Sequence, residues 1–403
     1  IVNAEQANQL TAALEAIAAE IAHGTFAETV RASKAEDIHG AIDARVRELA
    51  PDAGEQLHAG RSRNDQVATT LLLYAADRAA KGKRVAARIA AHFAACAKKE
   101  LDAGTLLAAT THWQPAQPVL LAFWLCAAAE PFARDAQRFA EVQTRALESC
   151  PLGSAAVAGS SLPLDRQASA GALGFAAPSR NAMDAIGNRD AALDLAHAFV
   201  RVLVDASRIC EEFVIWCTPN FGYVRLDDAA STGSSLMPQK RNPDPFELVR
   251  ATSASMIGRY AGALAAVGGA ALSYHRDLQI AKEAIIAIAE QSLSALEAFA
   301  RALEHVHFNR GRISALAGEG YTAATDVADA LILSGMTARE AHSTVGASVR
   351  ANERDGTPLN WPDAIASVQG KTTSGSTNPD AVRESLEALH RVILSLSKDE
   401  GIH

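Results

Sequence analysis

Residues 67–101 read VATTLLLYAADRAAKGKRVAARIAAHFAACAKKEL, a proline-free run in which Leu, Ala, Val and Phe recur every three or four positions with Lys and Arg between them. That period belongs to an α-helix with an apolar face, and at about 1.5 Å per residue thirty residues extend ~45 Å. Helices this long lie side by side, so the stretch predicts a bundle. Comparable segments cover 119–148, 184–217, 245–268 and 277–307, each separated from the next by Gly, Pro or Ser clusters. LLAFWLCAAA at 120–129 and AGALAAVGGAAL at 261–272 are apolar most of the way round. Such helices need cover on every side, and their small residues suit a bundle shared between protomers. No strand alternation of useful length, internal repeat or low-complexity tract competes. The fold class is read as all-α.

At 403 residues the chain has room for a large core and two or three domains. With 49% hydrophobic and 21% charged residues it has the composition of an ordered globular protein. A net charge of −8 gives no footprint for nucleic acid or an anionic membrane surface, so an anionic ligand must be held by a local cluster. The cysteines (Cys96, Cys126, Cys150, Cys210, Cys217) are odd in number, widely spaced and without a CxxC pair. They read as buried thiols of a reducing, cytoplasmic compartment rather than a disulfide frame or zinc site. Gln114, Pro115, Gln117 and Pro118 break the longest uncharged stretch, Ala103–Ala129, leaving an apolar run too short for a bilayer. The opening IVNAEQANQL has no initiator Met, basic segment, apolar core or cleavage site, so no secretory signal is read there.

Irregular islands interrupt the helices. LHAGRSRNDQVAT (57–69) sets Arg61, Ser62, Arg63 and Asn64 ahead of a long helix, where free N–H groups and two guanidiniums favour a carboxylate. The same residues also suit a plain helix start, with Ser62 or Asn64 as cap and Arg61 paired to Asp65. ATTHWQPAQP (109–118) places His112 beside Thr111 in a proline-fixed turn. His112 is a general acid or base candidate, or else a hydrogen-bonded core histidine. STGSSLMPQKRNPD (231–244) joins a permissive glycine, Gly233, to the hydroxyls of Ser234 and Ser235 and to Lys240 and Asn242, which suit a developing negative charge. Asp244, Pro245 and Glu247 then read as a capping box, which competes with a catalytic role for Glu247. PLGSAAVAGSSLPLD (151–165) reads as a loop with little chemistry, and the closing VILSLSKDEGIH as a solvated tail. The chain has no nucleophile elbow, P-loop, nucleotide fingerprint or metal-ligand spacing, which favours chemistry without cofactor or metal.

GSSLMPQKRNPD resembles the GSSxMPxKxNP signature of the fumarase/aspartase superfamily, whose members eliminate fumarate from a succinyl group. LHAGRSRNDQVAT, STGSSLMPQKRNPDPFELVR and SYHRDLQIAKE (273–283) are similar to blocks of the argininosuccinate lyases, including the δ-crystallins, and the likeness runs from about Gln9 to Asn360. It implies a homotetramer around a shared central bundle (61–308), with smaller helical domains at 1–60 and 309–403. It further implies that Ser234 is the base, that Lys240 and Asn242 stabilise the carbanion, and that His112 pairs with Glu247 to handle the proton of the leaving guanidinium. By the same matching Ser62, Arg63, Asn64 and Thr111 hold substrate carboxylates. Tyr274, Gln279 and Lys282 hold the argininyl end and the fumaryl carboxylates, with islands from three subunits meeting in one site.

The chain departs from that pattern at Pro115, where the family has Arg, and at Trp113, where it has Leu. TTSGSTNPDAV (372–382) only faintly echoes the family's C-terminal pattern. Argininosuccinate cleavage, lysis of another N-substituted aspartate and a catalytically silent δ-crystallin-like role are the readings in competition.

Overall fold

The helical periods become helices with defined ends in the computed structural model, which describes residues 2–398. Four helices open the chain: α1 (Ala4–Ala22), α2 (Phe26–Ser33), α3 (Ile38–Leu49) and the single turn α4 (Pro51–Gly54). Asn3 and Asp37 cap α1 and α3 by accepting from the N–H groups of Gln6 and Gly40. Then come α5 (Arg63–Ala103), α6 (Leu121–Ala146), the short α7 (Arg166–Ala172) and α8 (Ala182–Gly187), α9 (Asp190–Trp216), α10 (Asp244–Gly269) and α11 (Asp277–Leu303). The chain continues with α12 (Arg310–Ala317), α13 (Ala324–Leu333), α14 (Ala338–Asp355), α15 (Ala364–Gln369) and α16 (Pro379–Lys398). VILSLSK therefore forms the last turns of α16 rather than a solvated tail, with Leu396 buried, and 399–403 lie outside the described residues.

Strands are few and short. Antiparallel β1 (Leu106–Thr111) and β2 (Gln114–Leu120) form a hairpin, β3 (Ser149–Cys150) runs parallel to β4 (Ala177–Pro178), and β5 (Val224–Leu226) pairs antiparallel with β6 (Val306–Phe308). About two thirds of the residues are helical, and the all-α class holds.

The chain divides into two compact units. The first takes the residues up to Tyr74, Arg145–Asp190 and Ala266–Ile280. Its larger core packs Ala13, Ile17, Phe26, Ala41, Val46, Ala50 and Ala53 from α1 to α4. Cys150, Ala170 and Phe175 gather against Leu72, Leu73, Leu147 and Leu152 in a smaller one.

The second unit takes Ala75–Thr144, Ala191–Ala265 and the chain from Ala281 on. Its core is a relay of phenylalanine rings through the five long helices: Phe93 of α5 on Phe132 of α6 (6.0 Å), Phe132 on Phe299 of α11 (5.9 Å), Phe299 on Phe246 of α10 (6.1 Å), and Phe246 on Phe213 of α9 (5.0 Å). All five rings are almost fully buried. Burial of each contributes about 2–3 kcal/mol and each ring pair ~1 kcal/mol beyond that. Gly82 lets α5 and α6 approach: a Cβ there would stand 2.6 Å from the Phe139 ring. The helices after α11 dock on this unit through polar ties to the hairpin: Leu106 N–H donates to Ser314 Oγ (3.2 Å), Leu120 N–H to Thr377 Oγ1 (2.7 Å), and Gln117 Nε2 to Thr325 Oγ1 (2.8 Å).

Candidate active site

The loop that carries Ser234 is pinched at its neck. Thr232 and Asn242 exchange two backbone hydrogen bonds, Thr232 N–H to Asn242 O (3.2 Å) and Asn242 N–H to Thr232 O (2.9 Å). Arg241 Nε donates to Asp228 Oδ1 at 2.7 Å, tying the loop's far end to the 3₁₀ turn Asp228–Ala230 before it. Inside the pinch, the Ser234 hydroxyl accepts from the N–H groups of Leu236 (3.2 Å) and Met237 (3.0 Å). Two donors aimed at one oxygen stabilise negative charge on it. Gly233 does not use the left-handed backbone open to glycine, and a Cβ there would meet nothing within 4 Å. Lys240 and Leu236 are exposed, and the Asn242 amide turns back on the neck toward Thr232 Oγ1 (3.3 Å).

Glu247 is not the third residue of a capping box. Helix α10 already includes Asp244, whose carboxylate is engaged by the Thr232 hydroxyl, so Glu247 sits half-buried one turn further in. It shares no described hydrogen bond with His112.

His112 belongs to a hairpin and not to a proline-fixed irregular turn. Thr111 pairs in register with Gln114, so His112 and Trp113 are the two turn residues, with φ of +54° and +59°. Both central residues of this tight hairpin are left-handed, a conformation that Asn and Gly adopt with less strain. The turn holds His112 and Trp113 out from the strands, and Pro115 and Pro118 lie within β2. Thr110, His112, Trp113 and Glu212 line one hollow. Glu212 comes from the last turns of α9; burial pushes its carboxyl up from the ordinary value, and the Trp124 indole N–H donates to it at 2.8 Å. The sequence reading missed Glu212, whose place in the amphipathic run of α9 gave no local signal.

In the first unit, Ser62 starts α5 as the cap reading anticipates: its Oγ accepts from Asn64 N–H (3.3 Å) and its own N–H donates to Asp65 Oδ1 (3.0 Å). Asp65 is fully buried, and its other oxygen accepts from the N–H groups of Gly153 (3.0 Å) and Ala155 (2.8 Å). Arg61 is not its ion-pair partner, because the Arg61 guanidinium donates to Leu57 O. The loop 151–165 therefore does more than connect. With Asn64 Nδ2 donating to Ala156 O (3.0 Å), it fixes the start of α5. Arg63 is paired with Asp37 at 2.7 Å. Tyr274 is half-buried, and Gln279 accepts from Arg276 at 3.1 Å.

Ser62, Arg63, Asn64, Tyr274 and Gln279 thus belong to the first unit, and Thr111, His112, Ser234, Lys240, Asn242, Glu247 and Lys282 to the second. Among the described residues no group of His, Cys, Asp and Glu side chains is arranged to hold a metal ion, and no helix is long and apolar enough to cross a membrane.

Residues 1–258 match the family model described as lyase, and residues 321–386 the one described as argininosuccinate lyase C-terminal. The argininosuccinate lyase of Mycobacterium leprae is 41% identical over 377 residues, covering 93% of this chain and 79% of that protein. That of Mycolicibacterium vanbaalenii is 43% identical over 387 residues, covering 93% and 81%. A crystal structure of EDDS lyase in complex with formate shares the fold, with a TM-score of 0.79 at 24% identity over 89% of this chain and 77% of that one. With both family models matched and two relatives more than 40% identical over most of its length, the chain belongs to the argininosuccinate lyase family.

Proposed function

We propose that the protein is a cofactor-free lyase that cleaves argininosuccinate to arginine and fumarate. Ser234, as the alkoxide, takes the proton from the carbon next to a carboxylate, and the electron pair spreads into that carboxylate as an aci-form. Lys240 and Asn242 face the developing charge. Collapse of the aci-form expels the guanidinium nitrogen, which receives a proton from His112 oriented by Glu247. Ser62, Arg63, Asn64 and Thr111 hold the carboxylates, and Tyr274, Gln279 and Lys282 the argininyl end and the fumaryl group. The observation that carries this reading is the pair of backbone N–H groups on Ser234 Oγ, because an ordinary serine is too weak an acid to serve as a base.

In the same reading the enzyme is a cytoplasmic homotetramer, with 61–308 as the shared bundle and 1–60 and 309–403 as smaller flanking domains. Two observations support shared sites. His112 and Glu247 are not hydrogen-bonded within one chain, and Leu248 (66% exposed), Ile257 (48%) and Leu264 (43%) on α10 offer apolar surface for another copy.

A second reading, another N-substituted aspartate as substrate, is favoured by Trp113, which is 48% exposed on the wall of the His112 hollow. Following fumarate absorbance with purified protein decides between them. Turnover of argininosuccinate is the expected outcome; silence with argininosuccinate but turnover of another N-substituted aspartate would establish the second reading.

A further inference from the structure

The Ser234 loop hangs from a short ladder with unusual chemistry at its end. Strands β5 and β6 pair Val224 with Phe308, Arg225 with His307 and Leu226 with Val306. One residue on, Asp227 N–H donates to His305 O at 3.3 Å, closing the ladder where the chain enters the 3₁₀ turn that leads into the loop. Asp227 holds the cap position of that turn, yet its side chain makes no capping hydrogen bond. Instead its Oδ2 takes His307 Nε2 at 2.9 Å and His305 Nδ1 at 3.4 Å, two imidazoles on one oxygen. A carboxylate that forgoes a cap has been diverted to another task.

We infer that Asp227, His305 and His307 form a proton-dependent clasp that positions the Ser234 loop by fixing its root to β6. This rests on the reading of that loop as catalytic. The clasp acts on the loop through one turn of chain: Asp227 O accepts from Ala230 N–H (3.0 Å), Asp228 is paired with Arg241, and the neck at Thr232 and Asn242 follows at once. Holding Asp227 therefore fixes where both ends of the loop start.

Besides the imidazoles, Arg225 faces the carboxylate, with Nη2 at 3.9 Å from Oδ1. A ring protonated on both nitrogens meets the carboxylate as a charged donor, and a neutral ring only as an ordinary hydrogen bond. The hydrogen bond from His307 holds the Asp227 carboxyl below its ordinary value, so Asp227 is ionised across the range that matters. With both rings protonated the clasp is a charged triad. With neutral rings the contacts are ordinary hydrogen bonds, and the root loosens. The groups are partly exposed (36–49% for the three side chains), so the effect is modest.

Hydrogen exchange tests this directly on the protein as it is. Exchange rates at Thr232 and Asn242, divided by their intrinsic rates, give the protection of the loop neck at pH 5.5 and 7.5. Protection in the wild type should fall about two- to fivefold over this interval, the scale of an exposed ion pair. It should stay flat in His305→Gln/His307→Gln, while Arg225→Ala keeps the pH dependence. In turnover, Asp227→Asn should lower kcat about two- to tenfold with KM nearly unchanged. Equal pH dependence of protection in wild type and double variant overturns the clasp. Protection that behaves as expected in a protein without lyase activity overturns the proposed function and leaves the clasp standing.

Discussion

Ser234 and His112 owe their placement to opposite devices. Ser234 sits in a relaxed loop where two N–H groups have been gathered onto its oxygen, whereas His112 sits on a turn that its own side chain disfavours. Backbone strain of order 1–3 kcal/mol per residue at His112 and Trp113 is offset by the ladder on either side. The serine's role is the easier to test. In the proposed mechanism Ser234→Ala removes an oxygen that acts in the transition state, so kcat should drop by about three orders of magnitude while KM moves only a few-fold. Steady-state fumarate release checks it, and a variant retaining a tenth of wild-type turnover would remove Ser234 from the mechanism. As candidates for chemistry these residues were legible in the sequence, since GSSLMPQKRNPD and His112 stand out by residue type. Their partners were not. Asp65 draws its donors from Gly153 and Ala155, far along the chain, and a loop of Gly, Ser and Ala advertises no such task.

At the scale of elements, the five long helices were readable within a few residues because apolar period and Gly/Pro punctuation agree. The hairpin 106–120 was not, because its turn lacks Asn-Gly and its second strand carries two prolines. The seam between α6 and α9 also escaped reading. Asp135 of α6 is 1% exposed, with Oδ1 paired to Arg138 and Oδ2 unpartnered. Burial, then the neighbouring Asp205 of α9, push its carboxyl up to about 7, against the pull of Arg138 and Arg201. A carboxyl whose folded value lies above its unfolded one binds protons more tightly in the folded state. Its contribution is therefore present at low pH and is lost as pH climbs from about 4 to 7, by at most ~4 kcal/mol. Asp135→Asn cannot ionise. Its melting temperature should exceed that of the wild type by a few degrees at pH 7.5, and the gap should close toward pH 4.5. A gap independent of pH, measured by thermal denaturation at both values, would show that Asp135 does not titrate in this range.

At the scale of the molecule, the shared-site proposal makes a numerical claim. When Ser234→Ala and His112→Asn chains are refolded together in equal amounts, a site that draws these residues from different protomers finds both intact in about a quarter of cases. Fumarate release near a quarter of wild type is the expected outcome, with mixed oligomers confirmed by mass. Activity no higher than in the separate variants would place both residues in one chain. The division of the chain into units has a different consequence, one for its birth. The first unit is assembled from three pieces, and its last, Ala266–Ile280, leaves the ribosome only after four of the second unit's five long helices have been made. The second unit in turn waits for α11 and its Phe299, the ring on which Phe132 and Phe246 both close. Neither can be completed and set aside while the other is translated. For most of synthesis the nascent chain carries long helices with uncovered apolar faces, so the step most exposed to aggregation and to chaperone capture comes before α11 is complete, and truncation upstream of Ala266 costs both units at once.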